Sequence, residues 1–548
     1  MKDFTYIMAY DIGTTGSKAC LYRITDEIEL VDSYLEEYAL YTLDNGGVEQ
    51  KADEWWDAIC KSTQHVLECT GVDAKEIAGI SFCAQMQGLI MVDKEGEVLR
   101  NPMSYLDGRS TRQIDKYLNH GLFKIEGKWN LFKTLQCLRI TGGLAATAKD
   151  PLWKYHWVKD NEPEIFEKTY KWLDVKDYLV LKCTDEFTMG QDSANITFIY
   201  DTRPGKLGWN KKLCKMFDVN MDHLPRVIEA TEVAGKLTSR AAADMGLAEG
   251  TPVFGGGGDV PMISIGSGCL DLYDTHVYVG TSGWVVANVD KRMVDIGHFV
   301  ASILGAIAGR YNYVAEQETS GVCLQWFRDH LALDDVGIYL EKEHVCDKES
   351  EYDSLYDFLT KVIKETPPGA GDVIFTPWLH GNRSPKEDSL ARGIFFNLGL
   401  QTGKGQMVRA VVEGICFHKR WLLEAVEHKI PKQASIRFIG GGAKSDATCQ
   451  ILADITGREI VTIKNTQNAG TIGATVVAAV GLGLSADFSG AKELIPVDQV
   501  YKPRPEYKEL YDRNFEVFKK LYDNNKKLFK TLNEETEHKT GTIVHADV

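Results

Sequence analysis

The sequence predicts an α/β protein made by duplicating one fold, and two observations carry this. Apolar runs of strand length alternate with longer segments whose apolar residues recur every three or four positions. A strand, a glycine-threonine turn and a second strand occur once in each half: Gly13-Thr14-Thr15-Gly16, and again Gly280-Thr281-Ser282-Gly283. At 548 residues the chain is several times the usual domain length, so two large domains are expected. Hydrophobic residues make up 44% and charged residues 26%, enough for each half to bury its own core.

Taken in order, residues 6–10 and 19–22 read as the two strands of a hairpin around the first turn. Residues 52–67 have helical spacing, and residues 77–82 form a short strand. Phe254 ends another apolar run before four glycines and Asp259, and the small and apolar residues 261–268 begin a helix. Residues 276–279 and 284–287 repeat the opening hairpin. A helix over 407–423 and a strand over 436–439 follow. Residues 506–532 place Tyr507, Leu510, Tyr511, Phe515, Phe518, Leu521 and Tyr522 on one helical face. With no Ser- or Pro-rich linker, the halves should meet over a broad surface. The expected division is residues 1–268, residues 269–532 and a flexible polar tail, 533–548.

Lys and Arg total 62 against 78 Asp and Glu, a net charge of −16. Such a surface repels polyphosphate backbones and anionic lipids, which argues against nucleic acid and membrane partners. A nucleotide would have to be neutralised locally, by backbone N–H groups and a metal ion. The start of the chain has no secretory pattern and no apolar run reaches ~18 residues, so a cytoplasmic protein is expected. The twelve cysteines include no CxxC pair and read as buried thiols.

The turn around Thr14 and Thr15 can aim several N–H groups and two hydroxyls at one phosphate oxygen, although a plain hairpin turn uses the same residues. Its recurrence at Gly280 and Thr281, with Asp11 placed to hold a hydrated Mg²⁺, strengthens the phosphate reading. Asp259 on a glycine-lined edge can accept a proton from a bound hydroxyl, or cap a turn. Gly440-Gly441-Gly442-Ala443-Lys444-Ser445-Asp446 is either a close-approach loop for adenine and ribose or a tight strand-to-helix connection. Gln85, Met86 and Gln87 end a strand with two amides, which suit a neutral polyhydroxylated ligand. The P-loop, the dinucleotide fingerprint, H-E-x-x-H and G-x-S-x-G are all missing, so dehydrogenase and hydrolase readings lose their anchors.

This ordered set resembles the FGGY family of carbohydrate kinases, and within it the xylulokinase-like branch, over roughly residues 5–530. The matching segments are Asp11 to Thr15, Gly256 to Asp259 and Gly280 to Gly283. Gly321-Val-Cys-Leu-Gln325-Trp326 is similar to a nucleotide-binding helix of the family, and Gly441 and Gly442 with Asp446 to its adenosine loop. Lys154-Tyr-His-Trp157 resembles a K-x-x-W element, and residues 393–413 a family signature in which Asn397 replaces a glycine.

The resemblance implies two actin-like ATPase (ribonuclease H-like) domains flanking a catalytic cleft, with ATP and Mg²⁺ in the cleft. It implies Asp259 as the base, Asp11 and Asp259 at the metal, and sugar at Gln85, Met86, Gln87, Asp107, Arg109 and Asp259. Nucleotide falls to Gly13, Thr14, Thr15, Gly280, Thr281, Gly321, Gln325, Gly441, Gly442 and Asp446. Family members often form homodimers.

The departures concern the acceptor. Gln87 stands where xylulokinases carry His, Val260 where Asn is common, and Tyr105 where Trp is usual. Asp107 and Arg109 either bind hydroxyls or pair to brace their loop. Xylulose or a related ketopentose is the leading expectation, with ribulose, erythritol and glycerol as alternatives. The same fold also serves ATP-driven chaperones and filaments, and a degenerate kinase could act as a sugar sensor. Asp259 beside a glycine-lined acceptor space argues against the first, and retention of Asp11, Thr14, Asp259 and Thr281 against the second.

Overall fold

The computed structural model describes residues 4–125, 128–332 and 355–537. Its first sheet contains β1 (Thr5–Ile12), β2 (Gly16–Ile24), β3 (Ile28–Glu37), β4 (Ile77–Ala84), β5 (Val233–Lys236), β6 (Pro252–Phe254) and β7 (Gly257–Gly258). The order is β5-β6-β4-β1-β2-β3, with β7 also pairing β4. Strands β1, β2 and β3 are antiparallel neighbours, whereas β4 runs parallel to β1 and to β6. Ile7, Met8, Ala9 and Tyr10 are all buried because β1 is central and covered on both faces.

Helix α1 (Ala52–Thr70) carries Asp53 and Glu54 in its first turn and ends on Gly71 at φ 65°, a left-handed stop suited to glycine. Its Trp55, Ile59 and Val66 pack into the core of the first sheet. The excursion between β4 and β5 holds α2 (Pro151–Asn161) and α3 (Val175–Thr184). After β7 comes α4 (Asp259–Gly266). It begins two residues earlier than the sequence reading, since Asp259 itself opens the helix.

The second sheet has eight strands: β8 (Thr275–Val279), β9 (Gly283–Val289), β10 (Val294–Asp295), β11 (Val300–Leu304), β12 (Tyr311–Gln317), β13 (Ser435–Ile439), β14 (Glu459–Ile463) and β15 (Val497–Tyr501). Their order is β10-β11-β12-β9-β8-β13-β14-β15. Here β8, β9 and β12 are antiparallel and β13 joins β8 in parallel, so the second sheet repeats the plan of the first. Its helices include α5 (Val322–Phe327), α6 (Lys404–Glu427), α7 (Asp446–Thr456), α8 (Ala469–Gly481) and α9 (Lys508–Glu537).

Helix α8 packs back against the first sheet, where Thr471 meets the Tyr22 hydroxyl at 2.8 Å. It crosses α4 with backbone against backbone. A Cβ on Gly266 would lie 1.8 Å from the Ala469 carbonyl oxygen, and one on Gly473 would lie 1.9 Å from that of Met262. Only glycine permits this approach.

On α9, Tyr511, Phe515, Phe518, Leu521 and Tyr522 are buried on the expected face. The helix runs past Asn533 to Glu537, so the tail expected to be flexible from 533 is helical at its start. The Asn533 amide anchors it by donating to the Leu390 carbonyl at 2.9 Å. Residues 538–548 lie outside the described residues. Asn397 sits at φ 68°, left-handed backbone that asparagine tolerates best after glycine, which accounts for its place in a glycine position. The eleven cysteines among the described residues are free thiols, nine of them buried. No helix among the described residues is long and apolar enough to cross a membrane.

Candidate active site

Three strand ends of the first sheet form the floor of the site. In register, Asp11 of β1 lies beside Cys83 of β4, and Cys83 lies beside Gly257 of β7. One position on, Gly258 pairs with Ala84, so Asp259 and Gln85 leave neighbouring strand ends together. Met86 packs directly on Gly258, where a Cβ would fall 2.3 Å from its sulfur. Gly258 is therefore required by Met86 resting on it, while Gly255 and Gly256 are crowded by the Glu229 and Phe82 carbonyls.

Asp259 is partly exposed at the start of α4. Its carboxyl is pushed up from 3.8 to about 7, first by burial and then by the charges of Asp11, Glu316 and Asp192. Burial also raises Asp11, which the Lys18 ammonium partly offsets. Lys18 is tied to Asn468 of the second half at 3.0 Å. Glu316 comes from β12, so carboxylate charge from both halves acts on Asp259. The hard oxygens of Asp11 and Asp259 are donors of the kind a Mg²⁺-class cation takes.

The first glycine-threonine turn is closed by Gly13 N–H donating to Gly16 O at 2.9 Å, and Tyr38 O–H donates to Gly13 O at 2.6 Å. This leaves Thr15 exposed and Thr14 half-buried at the tip. The second turn is stapled to the start of α5, with Gly321 N–H donating to Gly280 O at 2.7 Å and Ser320 N–H to Thr281 O at 2.9 Å. A Cβ on Gly321 would lie 2.5 Å from that Gly280 oxygen, while Thr281 and Gln325 are exposed. The third loop lies alongside, because β8 and β13 are parallel neighbours: Gly440 sits at φ 89° and a Cβ there would meet Val279 O at 2.6 Å. Gly441 and Gly442 follow in a tight turn. Asp446 opens α7 beyond them and accepts from the Tyr501 hydroxyl at 2.8 Å.

In the sugar loop, the Gln85 amide donates to Gln50 at 2.9 Å, and Gln50 donates to the Thr14 carbonyl at 2.7 Å. Gln85 Oε1 is buried and has no partner among the described residues, an acceptor still to be satisfied. Gln87 sits at φ 66°, a costly conformation for a non-glycine residue. It is held from both sides. Its N–H and that of Gly88 donate to the Asp174 carboxylate at 3.1 and 2.8 Å, and its carbonyl accepts from Lys154 Nζ at 2.8 Å.

Asp107 and Arg109 pair with each other, the contact that the bracing alternative expects. Asp107 is wholly buried, and its Oδ2 accepts from Val48 N–H and from the Arg109 guanidinium at 2.6 Å. Arg109 also reaches Glu49 at 2.8 Å and lies over the Trp157 ring at 4.7 Å. Lys154 and Trp157 thus support two loops from one turn of α2. Sequence reasoning missed Gln50, Asp174, Asp192 and Glu316. Asp192 holds the catalytic loop by accepting from Gly258 N–H at 2.6 Å.

The chain matches the N-terminal domain of the FGGY family of carbohydrate kinases over residues 6–266 and the C-terminal domain over 276–482. It is 28% identical to the xylulose kinase of Bacillus subtilis over 517 residues, covering 92% of this chain and 95% of that protein. Among solved structures it is similar to a gluconate kinase from Lactobacillus acidophilus (TM-score 0.81, 26% identity, 96% of this chain and 100% of that one). It is also similar to a ligand-bound xylulose kinase from the same organism (TM-score 0.80, 27% identity, 95% and 98%).

Proposed function

Because this chain belongs to the FGGY family of carbohydrate kinases and is thus an ATP-dependent sugar kinase with two actin-like domains, we propose that its acceptor is a ketopentose, xylulose first, and that Asp259 is the base. The observation that carries the reading is the meeting of Asp259, held near neutrality, with Gln85 and its unpartnered carbonyl. A terminal sugar hydroxyl donating to Asp259 attacks the γ-phosphorus. The new bond joins sugar oxygen to phosphorus, the bond to the β,γ-bridging oxygen breaks, ADP leaves, and the hydroxyl proton stays on Asp259. A carboxyl poised near pH 7 is half-ionised at neutral pH and accepts that proton readily.

Asp11 and Asp259 would hold Mg²⁺, which neutralises charge on the transferring phosphates when bound. The backbone N–H groups around Thr14, Thr15 and Thr281 would orient those phosphates, and the loop at Gly441 and Gly442 the adenosine.

A neutral sugar suits this site better than gluconate, although a gluconate kinase is among the similar structures. Gluconate brings a carboxylate. The cations nearest the sugar loop are committed, Lys154 to two carbonyls and Arg109 to Asp107 and Glu49. The test is ADP release with ATP and Mg²⁺ across xylulose, ribulose, gluconate, glycerol and erythritol, each beside a blank without sugar. Acceleration by xylulose with a xylulose phosphate as product supports the reading. Selective acceleration by gluconate or a polyol overturns the acceptor assignment.

A further inference from the structure

At the edge of the second sheet, away from the residues above, two histidines converge on one carboxylate. Asp295 ends the edge strand β10, His298 lies in the turn that follows, and His428 follows the last residue of α6. Asp295 Oδ2 is 3.1 Å from His298 Nδ1 and 2.9 Å from His428 Nδ1. The three donor atoms all lie within 4.8 Å of one another.

We infer that Asp295, His298 and His428 bind a divalent transition-metal ion of the Zn²⁺ class. Ligands each ~2.1 Å from one ion stand about 2.9–3.4 Å apart, the separation found between the carboxylate oxygen and each ring nitrogen. Two imidazoles and one carboxylate favour zinc, nickel or copper over Mg²⁺ and Ca²⁺, which prefer oxygen.

A second observation separates this cluster from an ordinary histidine-carboxylate pair. His428 Nδ1 makes a regular hydrogen bond to Asp295, but His298 Nδ1 does not. It is shielded from water and close to the same oxygen, yet without an aligned hydrogen bond among the described residues. The ring planes are tilted by 54° with centroids 4.9 Å apart, so the rings present their nitrogens to a common point rather than stacking.

Exposure rises from 8% for the Asp295 side chain to 35% for His298 and 60% for His428, giving a site closed beneath and open to water above. Three protein ligands leave further coordination positions for water. Lys429 opposes the ion. Its Nζ is 4.0 Å from Asp295 Oδ2 and donates to the Val294 carbonyl at 2.5 Å. The bound ion would fasten the β10 turn to the C-terminal end of α6.

The probe is Zn²⁺, measured by equilibrium dialysis on tag-free protein in excess Mg²⁺, with Co²⁺ absorption reporting imidazole ligation. One ion per chain is expected. His428→Ala and His298→Ala should each weaken binding by about tenfold or more, and Lys429→Ala should tighten it roughly threefold. Zn²⁺ should raise the thermal midpoint of the unaltered protein but not that of His428→Ala, whose sugar kinase turnover is unchanged. His428 is exposed, so its variant folds. Absence of binding at about 100 µM Zn²⁺, or an affinity in both histidine variants equal to that of the unaltered protein, would falsify the site.

Discussion

The substitution Asp259→Asn exchanges an electrostatically penalised carboxyl for a neutral amide of nearly the same shape. The folded protein raises this carboxyl from 3.8 to about 7. At ~1.4 kcal/mol per unit, three units set a ceiling of about 4 kcal/mol on what ionised Asp259 costs the fold; partial exposure to solvent lowers this to roughly 2 kcal/mol. The sign follows from where each state ionises. Below about pH 4 the carboxyl is protonated folded and unfolded, and there is no penalty. Between about pH 4 and 7 the unfolded chain ionises first, so the penalty accumulates, and above about pH 7 it is constant.

Thermal unfolding of both proteins should therefore show Asp259→Asn more stable at pH 8, with the advantage shrinking as pH falls and nearly gone by about pH 3.5. The variant should lose turnover by about 10²-fold or more, and the unaltered enzyme's kcat/KM for sugar should fall about tenfold per unit below pH 7. A stability gap independent of pH would refute the electrostatic account. Full turnover in the variant would remove Asp259 from the chemistry.

Gly473→Ala places a methyl group 1.9 Å from the Met262 carbonyl at the α4-α8 crossing, so unfolding should show a loss of about 3 kcal/mol or more; a change within ~0.5 kcal/mol would mean the helices slide apart freely. Gln85→Leu removes the unpartnered acceptor and the link to Gln50. Steady-state kinetics should show kcat/KM for sugar down by roughly 10–100-fold with KM for ATP unchanged, and a shift in the ATP term instead would move Gln85 out of the sugar site. Arg109→Lys breaks a fork shared by Asp107 and Glu49 and should destabilise by about 2 kcal/mol or more in denaturant titration, whereas an unchanged midpoint would deny the bracing role.

The two hairpins and their turns were legible because their signal is local: apolar residues in strand-length runs around glycine and threonine. The glycine loop before Asp259 stood out for the same reason, since four glycines in a row are unusual at any position. Gln50 was not. It is an ordinary polar residue whose meaning depends on Gln85, 35 positions away. Asp192 acquires its role only by meeting Gly258, 66 positions away, and Asp174 only by meeting Gly88. Asp107 and Arg109 stayed undecided because a third residue, Glu49, completes their pairing from 60 positions upstream of Arg109. The excursion between β4 and β5, where Asp174 and Asp192 lie, has little periodicity to read.

Those distant partners also explain how the sugar loop and the catalytic loop keep their relative position. Asp174 precedes α3, accepts from Val175 N–H at 2.9 Å and holds Gln87 and Gly88. Lys176 and Asp177 follow on the same helix as a buried ion pair, and Asp177 accepts from Gly190 N–H at 3.0 Å. Asp192 then holds Gly258. The charge of Lys176 is supported by Asp177, Asp192 and Asp174 against the burial that opposes it. Lys176 pairs with Asp177 and lies in the field of Asp192 and Asp174, and burial leaves Asp174 at about 7 and Asp177 above its ordinary value.

A buried cluster of this kind is no source of net stability, and removing one partner leaves the others uncompensated. What it supplies is geometry. The left-handed backbone at Gln87 persists only where its surroundings over-determine it, and Asp174 and Lys154 do so. The apolar residues of α3, Val175, Tyr178 and Leu179 among them, bury the helix in the first core and carry the stability that the cluster lacks. Because Asp174 holds Gln87, Asp192 holds Gly258 and the charge of Lys176 acts on both carboxylates, a change at Lys176 should disturb the backbone at Gln87 and at Gly258 together.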